Sequence, residues 1–177
     1  MIHLVYGGSS SGKSAYAEKL VTNLNTQKKY YVATMKISGN EGLEKVRRHK
    51  ELRKGKGFET LERETLDALP ALGTVIQKKD STLLLECLSN LVANEMFSEN
   101  KIRSVNDVEK KVVDDFLLLR NVTENLVIVS NNIFDDGVEY DETTKNYMKA
   151  LGKINSFVAE QADKVTEVVC GIPLEIK

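Results

Sequence analysis

The stretch GGSSSGKS, residues 7–14, most constrains what this 177-residue chain can fold into. It matches the pattern G-x-x-x-x-G-K-[ST]. A short apolar run at residues 2–6 precedes it, and a segment with apolar residues at helical spacing, residues 15–25, follows it. This order predicts a strand, a glycine-rich loop and a helix. Such a loop binds phosphate, because its N–H groups point inward and the helix N-terminus carries partial positive charge.

Two side chains of this phosphate-binding loop, or P-loop, have definite expected roles. Lys13 is expected to reach the β- and γ-phosphates of a nucleotide, and the hydroxyl of Ser14 to contact Mg²⁺. The alternative is a Gly/Ser-rich turn followed by an ordinary lysine. Because both flanking segments have the required pattern, the sequence favours nucleotide binding.

Composition is ordinary for a globular protein, with 41% hydrophobic and 29% charged residues. The formal net charge of −1 gives no reason to expect nucleic acid or a membrane surface as a partner. Cys87 and Cys170 lie in apolar segments without a C-x-x-C motif, so we expect reduced, buried thiols. We further expect a single domain over residues 1–177, with no signal peptide and no membrane span, in the cytoplasm.

Apolar runs and helical periodicity alternate along the rest of the chain. Strands are predicted at residues 29–34, 58–62, 81–86 and 125–130, with a closing hairpin from 164–170 and 174–176. Helices are predicted at residues 41–54, 63–76, 87–97, 105–120 and 142–161. The alternation predicts an α/β, P-loop NTPase-like (RecA-like) fold with a mostly parallel sheet. Ligands of such sheets bind at the carboxyl ends of the strands, which brings residues 7–14, Thr34, Glu86 and Asn131 to one rim.

Glu86 ends the most apolar predicted strand on the same rim as the P-loop. A carboxylate there is suited to hold Mg²⁺ directly or through water. The alternative is that Glu86 caps the following helix, where negative charge is favourable.

His49 lies in a strongly basic helical segment, beside Arg47, Arg48 and Lys50. Neighbouring cations favour neutral imidazole, which is a competent nucleophile towards a nucleotide phosphate. The alternative is an ordinary solvated basic helix.

A polar segment follows the strand predicted at residues 125–130. It contains Ser130, Asn131 and Asn132, and then Asp135 and Asp136. Its carboxylates and amides are placed to contact a hydroxyl, a metal or an amine, and an Asx-rich turn explains them equally well.

Several motifs together resemble one family. In order they are GGSSSGKS (7–14), YVAT (31–34), RRHK (47–50), FETLE (58–62), LLLECL (83–88) with Asn94, SN (130–131), Gly152 with Asn155, AD (162–163) and CGIPLEIK (170–177). The chain resembles the bifunctional adenosylcobinamide kinase / adenosylcobinamide-phosphate guanylyltransferase family of cobalamin biosynthesis, over essentially its whole length. The P-loop is generic, whereas the basic segment and the G-I-P-x-x-I-K ending are more particular.

The resemblance implies two reactions. In the first, the enzyme phosphorylates the terminal hydroxyl of the corrinoid adenosylcobinamide, with ATP or GTP as the phosphate donor. A histidine then attacks GTP, releasing pyrophosphate, and passes GMP to adenosylcobinamide-phosphate. The family histidine falls on His49, and Mg²⁺ is the expected metal. The resemblance also implies a homotrimer, whose site a neighbouring subunit helps to complete.

The implied site residues combine the P-loop with the basic segment and two acids. His49 and Lys13 are the candidate catalytic residues, and Ser14 and Glu86 the candidate metal ligands. The candidate nucleotide-binding residues are Gly7, Gly8, Ser9, Ser10, Ser11, Gly12, Lys13, Ser14, Thr34, Arg48, Lys50, Arg53, Glu62 and Glu86.

The chain departs from the family pattern away from the P-loop and His49. Asn132 replaces a glutamate and Phe134 a glycine, and Phe58 stands where tryptophan is usual. Lys145 and Met148 replace arginines, and Lys149 an aspartate. These positions bear on the corrinoid end of the site or on one of the two activities, and Asp135 or Asp136 is a candidate replacement for the missing carboxylate.

Two further hypotheses remain open from the residues. One is a small-molecule kinase that uses only the P-loop. The other is a nucleotide-binding regulatory protein without catalysis.

Overall fold

The computed structural model describes residues 1–36, 39–67, 76, 78–98, 101–134 and 137–177. Its main-sheet strands are β1 (Ile2–Gly7), β2 (Lys28–Ala33), β3 (Phe58–Glu62), β4 (Ser81–Glu86), β7 (Asn125–Asn131), β8 (Lys164–Val169) and β9 (Ile172–Glu175). The short strands β5 (Phe97–Ser98) and β6 (Lys101–Ile102) pair with each other. The helices are α1 (Lys13–Asn23), α2 (Gly39–Arg53), α3 (Leu88–Met96), α4 (Val105–Val122) and α5 (Glu142–Gln161).

The seven strands form one sheet in the order β3-β2-β4-β7-β1-β8-β9. All neighbours are parallel except β8 and β9, which form an antiparallel hairpin. The predicted α/β fold, with a mostly parallel sheet and a C-terminal hairpin, is therefore confirmed. None of the helices in the described part of the chain combines the length and the apolar character needed to cross a membrane.

Helices cover both faces of the central strands, which explains their near-continuous apolar sequences. On one face, Ala17 and Val21 of α1 pack against Val5, Leu84 and other strand residues. On the other face, α3, α4 and α5 bury a larger cluster around Leu85 and Ile128. The P-loop therefore follows an interior strand, β1, whose side chains are buried on both faces of the sheet.

The two cysteines differ in their surroundings. Cys87 is buried, as predicted, whereas Cys170 is exposed, so the prediction of a buried Cys170 is wrong. The physical reason is its position at the turn of the β8–β9 hairpin, where its φ of 49° belongs to the left-handed region. Of the apolar residues near Cys170 in the sequence, Val168 is in the core, whereas Val169 and Ile172 are 44% and 62% exposed on the edge hairpin.

The segment after β3 is not helical where the structure describes it. We predicted a helix over residues 63–76, but residues 63–67 form a loop, and residues 68–75 and 77 lie outside the described part of the chain. Backbone groups of this loop are used in long-range hydrogen bonds. The N–H of Arg63 donates to the carbonyl of Ala33 (2.9 Å), and the Asn94 amide donates to the carbonyl of Glu64 (2.9 Å).

An ionic network ties this loop to α3 and α4. Lys111 lies 2.7 Å from Asp115, 3.1 Å from Asp67 and 3.7 Å from Glu95. Arg103 also pairs with Glu95, whose side chain is 1% exposed. Burial opposes the charge on Lys111, but the hydrogen bonds with Asp115 and Asp67 outweigh it and raise the lysine pKa. Lys111 therefore compensates the negative charge of two buried carboxylates, those of Asp115 and Glu95.

We expect Lys111→Met to lower the free energy of unfolding by roughly 2–3 kcal/mol, because it leaves Asp115 and Glu95 buried with less compensation. Lys110→Met is the matched control, since Lys110 is exposed on the same helix. Urea unfolding of both variants measures the difference. Equal stabilities of the two variants would contradict the assigned role of Lys111.

Candidate active site

The P-loop connects β1 to α1 and closes on its own backbone. Nζ of Lys13 donates a hydrogen bond to the carbonyl of Gly8 (2.8 Å), and the N–H of Ser11 donates to the same carbonyl (3.2 Å). Lys13 is 7% exposed, and burial lowers its pKa while the nearby Cys87 and Glu86 oppose that shift. A buried ammonium at the start of a helix is well placed for a phosphate.

Two glycines of the loop make close contacts that a side chain would disturb. At Gly12, where φ is 92°, a Cβ would lie 3.2 Å from the Cα of Gly171. At Gly7, a Cβ would lie 2.6 Å from the carbonyl oxygen of Val168. The N–H of Gly171 also donates to the carbonyl of Ser11 (2.8 Å). The C-terminal β8–β9 hairpin therefore packs against the backbone of the P-loop at Gly7, Ser11 and Gly12.

The hydroxyl of Ser14 donates to Oε1 of Glu86, which joins the start of α1 to the end of β4. Burial raises the pKa of Glu86, and the hydrogen bond from Ser14 opposes this shift. Oε2 of Glu86 is buried without a hydrogen-bond partner in the described part of the protein. A hydroxyl and a carboxylate with a free oxygen are the hard oxygen ligands that Mg²⁺ takes.

A cavity of about 140 Å³ opens beside Glu86. Its lining includes Tyr31, Met35, Arg53, Glu62, Arg63, Glu86 and Asn90. Three of the candidate nucleotide-binding residues, Arg53, Glu62 and Glu86, therefore meet around one space, although they come from α2, β3 and β4.

Three contacts hold the C-terminal end of α2 and the turn after it. The guanidinium carbon of Arg53 lies 3.7 Å from the centre of the Tyr31 ring. Lys50 pairs with Glu62 at 2.5 Å, on the surface. Lys56 pairs with Glu18 of α1 at 2.5 Å, where the Glu18 side chain is 4% exposed. The end of the basic helix is therefore fixed to β2, β3 and α1.

Thr34 is placed differently from the other candidate nucleotide-binding residues. It is fully buried, and its hydroxyl donates to the carbonyl of Cys87 (2.7 Å) and accepts from the N–H of Cys87 (2.8 Å). These bonds use the hydroxyl within the protein, so the structure does not bring the Thr34 side chain to the cavity. They join β2 to the β4–α3 connection instead.

The structure places Arg48 and His49 in α2 as backbone only, and their side chains lie outside the described residues. His49 is one helical turn before Arg53, which lines the cavity together with Val46 of the same helix. Asp135 and Asp136 also lie outside the described part of the chain.

A second polar cluster lies on the rim beyond Cys87. The amide of Asn131 donates to the Ser89 hydroxyl (2.6 Å), and the Tyr147 hydroxyl donates to the carbonyl of Ser89 (3.1 Å). Burial, with a contribution from Cys87, raises the pKa of Tyr147 to about 12. Asn131 was expected on this rim, but its partners were not predicted.

Sequence reasoning also missed Tyr31 as a cavity residue. Tyr30 and Tyr31 are adjacent, and only the alternation of strand faces decides which one meets the cavity. The RRHK segment gives a signal for the basic end of α2, but nothing local indicates that Arg53 stacks on β2.

Positions that depart from the family pattern have local structural roles. Asn132 Oδ1 accepts from the N–H of Phe134 (3.2 Å), which closes a turn. A Cβ on Gly152 would lie 3.7 Å from the Phe134 ring, so this ring packs on α5. Lys145 pairs at 3.7 Å with Glu142, and Lys149 is exposed.

The parallel sheet, the glycine-rich loop and the Ser14–Glu86 contact define an α/β protein with a P-loop. The model of the cobinamide kinase / cobinamide phosphate guanyltransferase family matches residues 3–176. The chain belongs to this family, which confirms the resemblance described above.

Two named relatives, CobU and CobP, agree with that assignment. The chain is 28% identical over the full length of both chains to the bifunctional adenosylcobalamin biosynthesis protein CobU of Salmonella typhimurium. It is 27% identical to the protein CobP, of the same description, from Pseudomonas aeruginosa, covering 100% of this chain and 98% of that one. The flagellar accessory protein FlaH from Methanocaldococcus jannaschii is also similar in structure, with a TM-score of 0.47 and 15% identity over 99% of this chain and 77% of that one.

We expect Gly12→Ala to lower the free energy of unfolding by roughly 1–3 kcal/mol, because alanine is strained at this φ and its Cβ presses on Gly171. Gly8→Ala is the control within the same loop, since a Cβ there meets nothing within 4 Å. Urea unfolding of both variants measures the effect. A Gly12→Ala variant as stable as Gly8→Ala would show that the hairpin contact does not constrain the loop.

Proposed function

We propose that this protein phosphorylates adenosylcobinamide and then transfers GMP from GTP to adenosylcobinamide-phosphate through His49. Membership of the family supports the two types of reaction, phosphorylation and guanylyl transfer. The observation that carries the assignment to this site is the cavity where Arg53 and Glu62 meet Glu86, the acid that contacts P-loop Ser14.

In the kinase step, the hydroxyl oxygen of the corrinoid arm attacks the γ-phosphorus of ATP or GTP. The bond between the γ-phosphorus and the β,γ-bridging oxygen breaks, a nucleoside diphosphate leaves, and the hydroxyl proton is released to solvent. The N–H groups of residues 7–14 and the ammonium of Lys13 bind the phosphates and stabilise the charge that develops on them. The buried position of Lys13 strengthens this interaction, because water competes with it less.

Ser14 and Glu86 fit a Mg²⁺ ion. Their oxygens already lie in contact, and Oε2 of Glu86 has no hydrogen-bond partner among the described residues. When bound there, Mg²⁺ would neutralise phosphate charge and favour the ionised form of Glu86.

In the transfer step, a neutral imidazole nitrogen of His49 attacks the α-phosphorus of GTP, and pyrophosphate leaves. A phosphate oxygen of adenosylcobinamide-phosphate then attacks the same phosphorus, and the bond to His49 breaks. Arg48, Lys50 and Arg53 supply positive charge for the departing pyrophosphate. The burial of Arg53 at the cavity supports its part in this role.

We also propose that the chain forms one domain over residues 1–177 and acts as a cytoplasmic homotrimer. The number of subunits follows from the family resemblance. An exposed apolar surface supports self-association: Ile172, Leu174 and Ile176 alternate along the C-terminal edge and are 62%, 46% and 63% exposed.

Incubation with GTP and Mg²⁺ should increase the intact mass of the protein by one GMP, and His49→Ala should abolish the increase. His3→Gln is the control, because His3 is the other histidine of the chain and is 3% exposed within β1. Peptide mapping then assigns the adduct to one histidine.

The other outcomes separate the alternatives. Nucleotide turnover that depends on cobinamide, without an adduct, would identify a plain kinase. Nucleotide binding without turnover would identify a regulatory protein. Absence of an adduct under every condition would refute the transferase.

We expect Leu174→Lys to dissociate the trimer, because it places a charge in an apolar contact between subunits. Leu118→Lys is a closely matched control, since both leucines are 46% exposed but Leu118 lies on α4. Light scattering coupled to gel filtration gives the masses. A Leu174→Lys variant that keeps the wild-type mass would exclude this surface from the subunit contact.

A further inference from the structure

Arg53 is an unusual cation for its position. It is 7% exposed, and no carboxylate in the described part of the chain forms a salt bridge with it. Its Nε is buried without a hydrogen-bond partner among the same residues. Buried charges are costly unless something compensates them. Glu86 attracts the guanidinium electrostatically without a salt bridge, so another contact is needed to hold Arg53 at the cavity.

Tyr31 provides that support. Its ring lies under the guanidinium, with 3.7 Å between the guanidinium carbon and the ring centre. A planar guanidinium stacks on an aromatic face, and the attraction is strongest where water is excluded.

The Tyr31 ring is itself held in place by its neighbours. It is 1% exposed and meets Phe58 of β3 edge to face, with 5.8 Å between the ring centres and an interplanar angle of 82°. It packs in the same cluster as Ala17 and Val21 of α1, the helix that follows the P-loop. The platform under Arg53 is therefore built on the same core as the phosphate-binding loop.

We propose that Tyr31 is a positioning residue for the nucleotide site, and that it acts through Arg53. Its ring holds the guanidinium at the cavity beside Glu86, where it meets the phosphates of a nucleoside triphosphate. This inference rests on the proposed function, because the ligand is the nucleotide of that site. It makes Tyr31 a determinant of nucleotide affinity and of guanylylation, although the residue is only 1% exposed.

The stack also fixes the helix that carries His49. Arg53 is the last residue of α2, one helical turn after His49. Holding Arg53 against β2 therefore holds the last turn of α2 beside the cavity. Loss of the stack should weaken nucleotide binding and slow formation of the GMP adduct together.

A double-mutant cycle with Tyr31→Leu and Arg53→Met tests whether Tyr31 acts through Arg53. The measurements are kcat/KM for GMP-adduct formation and the affinity for a non-hydrolysable GTP analogue. Tyr31→Leu alone should lower both by about tenfold to thirtyfold, as expected for a desolvated cation–π contact. In the Arg53→Met background the same substitution should change them less than about twofold. Independent, additive effects would overturn the proposal.

Two conservative variants separate the parts of the contact. Tyr31→Phe keeps the ring and loses only the side-chain hydrogen bond between the Tyr31 hydroxyl and Arg53, so it should retain activity within about threefold of wild type. Arg53→Lys keeps the charge but loses the planar face, so it should show most of the loss seen in Tyr31→Leu. An Arg53→Lys variant equal to wild type would overturn the proposal even if Tyr31→Leu does not fold.

Tyr30→Leu is the matched control for damage to the core. Tyr30 is the adjacent residue on β2, is also 1% exposed, and belongs to the cluster on the opposite face of the sheet. Its substitution should lower the thermal stability without changing the affinity for the GTP analogue. An equal loss of affinity in Tyr30→Leu and Tyr31→Leu would reduce the role of Tyr31 to packing and overturn the proposal.

The two readouts separate this inference from the proposed function. If wild-type protein binds the analogue but forms no adduct, the transferase proposal fails while the cycle in analogue affinity still tests Tyr31. If wild-type protein binds no nucleotide at all, both proposals fail.

Discussion

The contact between Ser14 and Glu86 connects the two parts of the protein on which its chemistry depends. Ser14 is the last residue of the P-loop and lies in the first turn of α1, and Glu86 ends β4, a strand separated from β1 by β7. A parallel sheet brings the carboxyl ends of these strands to the same rim. Burial makes this acid reluctant to ionise, so a cation at the site and the ionised form of Glu86 favour each other. One carboxylate therefore connects the P-loop to the sheet, and it would couple both to a bound cation.

The parts of the fold that follow from local pattern were predictable from the sequence. Residues 81–86 and 142–161 were predicted with the observed bounds, because a buried strand and a long amphipathic helix each leave a strong periodic pattern. Residues 63–67 were predicted as helix and are loop, because Arg63 and Glu64 use backbone groups in hydrogen bonds to β2 and α3. The local sequence pattern carries no signal for such long-range hydrogen bonds.

The candidate site also contains residues whose placement was predictable from the sequence and residues whose placement was not. The P-loop and Glu86 were placed correctly on one rim, because strand ends in a parallel sheet determine that placement. Thr34 was expected there as well, but its hydroxyl serves Cys87 inside the protein. The stacking of Arg53 on Tyr31 was not predictable, because it depends on where α2 ends relative to β2. Whether a residue at a strand end faces the ligand or the interior depends on packing rather than on residue type.

The tethers of α2 indicate how one P-loop can serve two reactions. The end of this helix and the turn after it are fixed to three neighbours through Arg53, Lys50 and Lys56, which contact β2, β3 and α1. Lys56 is the tether to α1, where it meets a carboxylate that is 4% exposed, whereas the Lys50–Glu62 pair is exposed and therefore weak. Phosphoryl transfer needs the P-loop and Glu86, and neither belongs to α2. In the proposed guanylyl transfer, His49 additionally requires the last turn of α2 to be held beside the cavity. The Arg53 stack and the Lys56–Glu18 pair are therefore requirements of the proposed second reaction that the first reaction does not share.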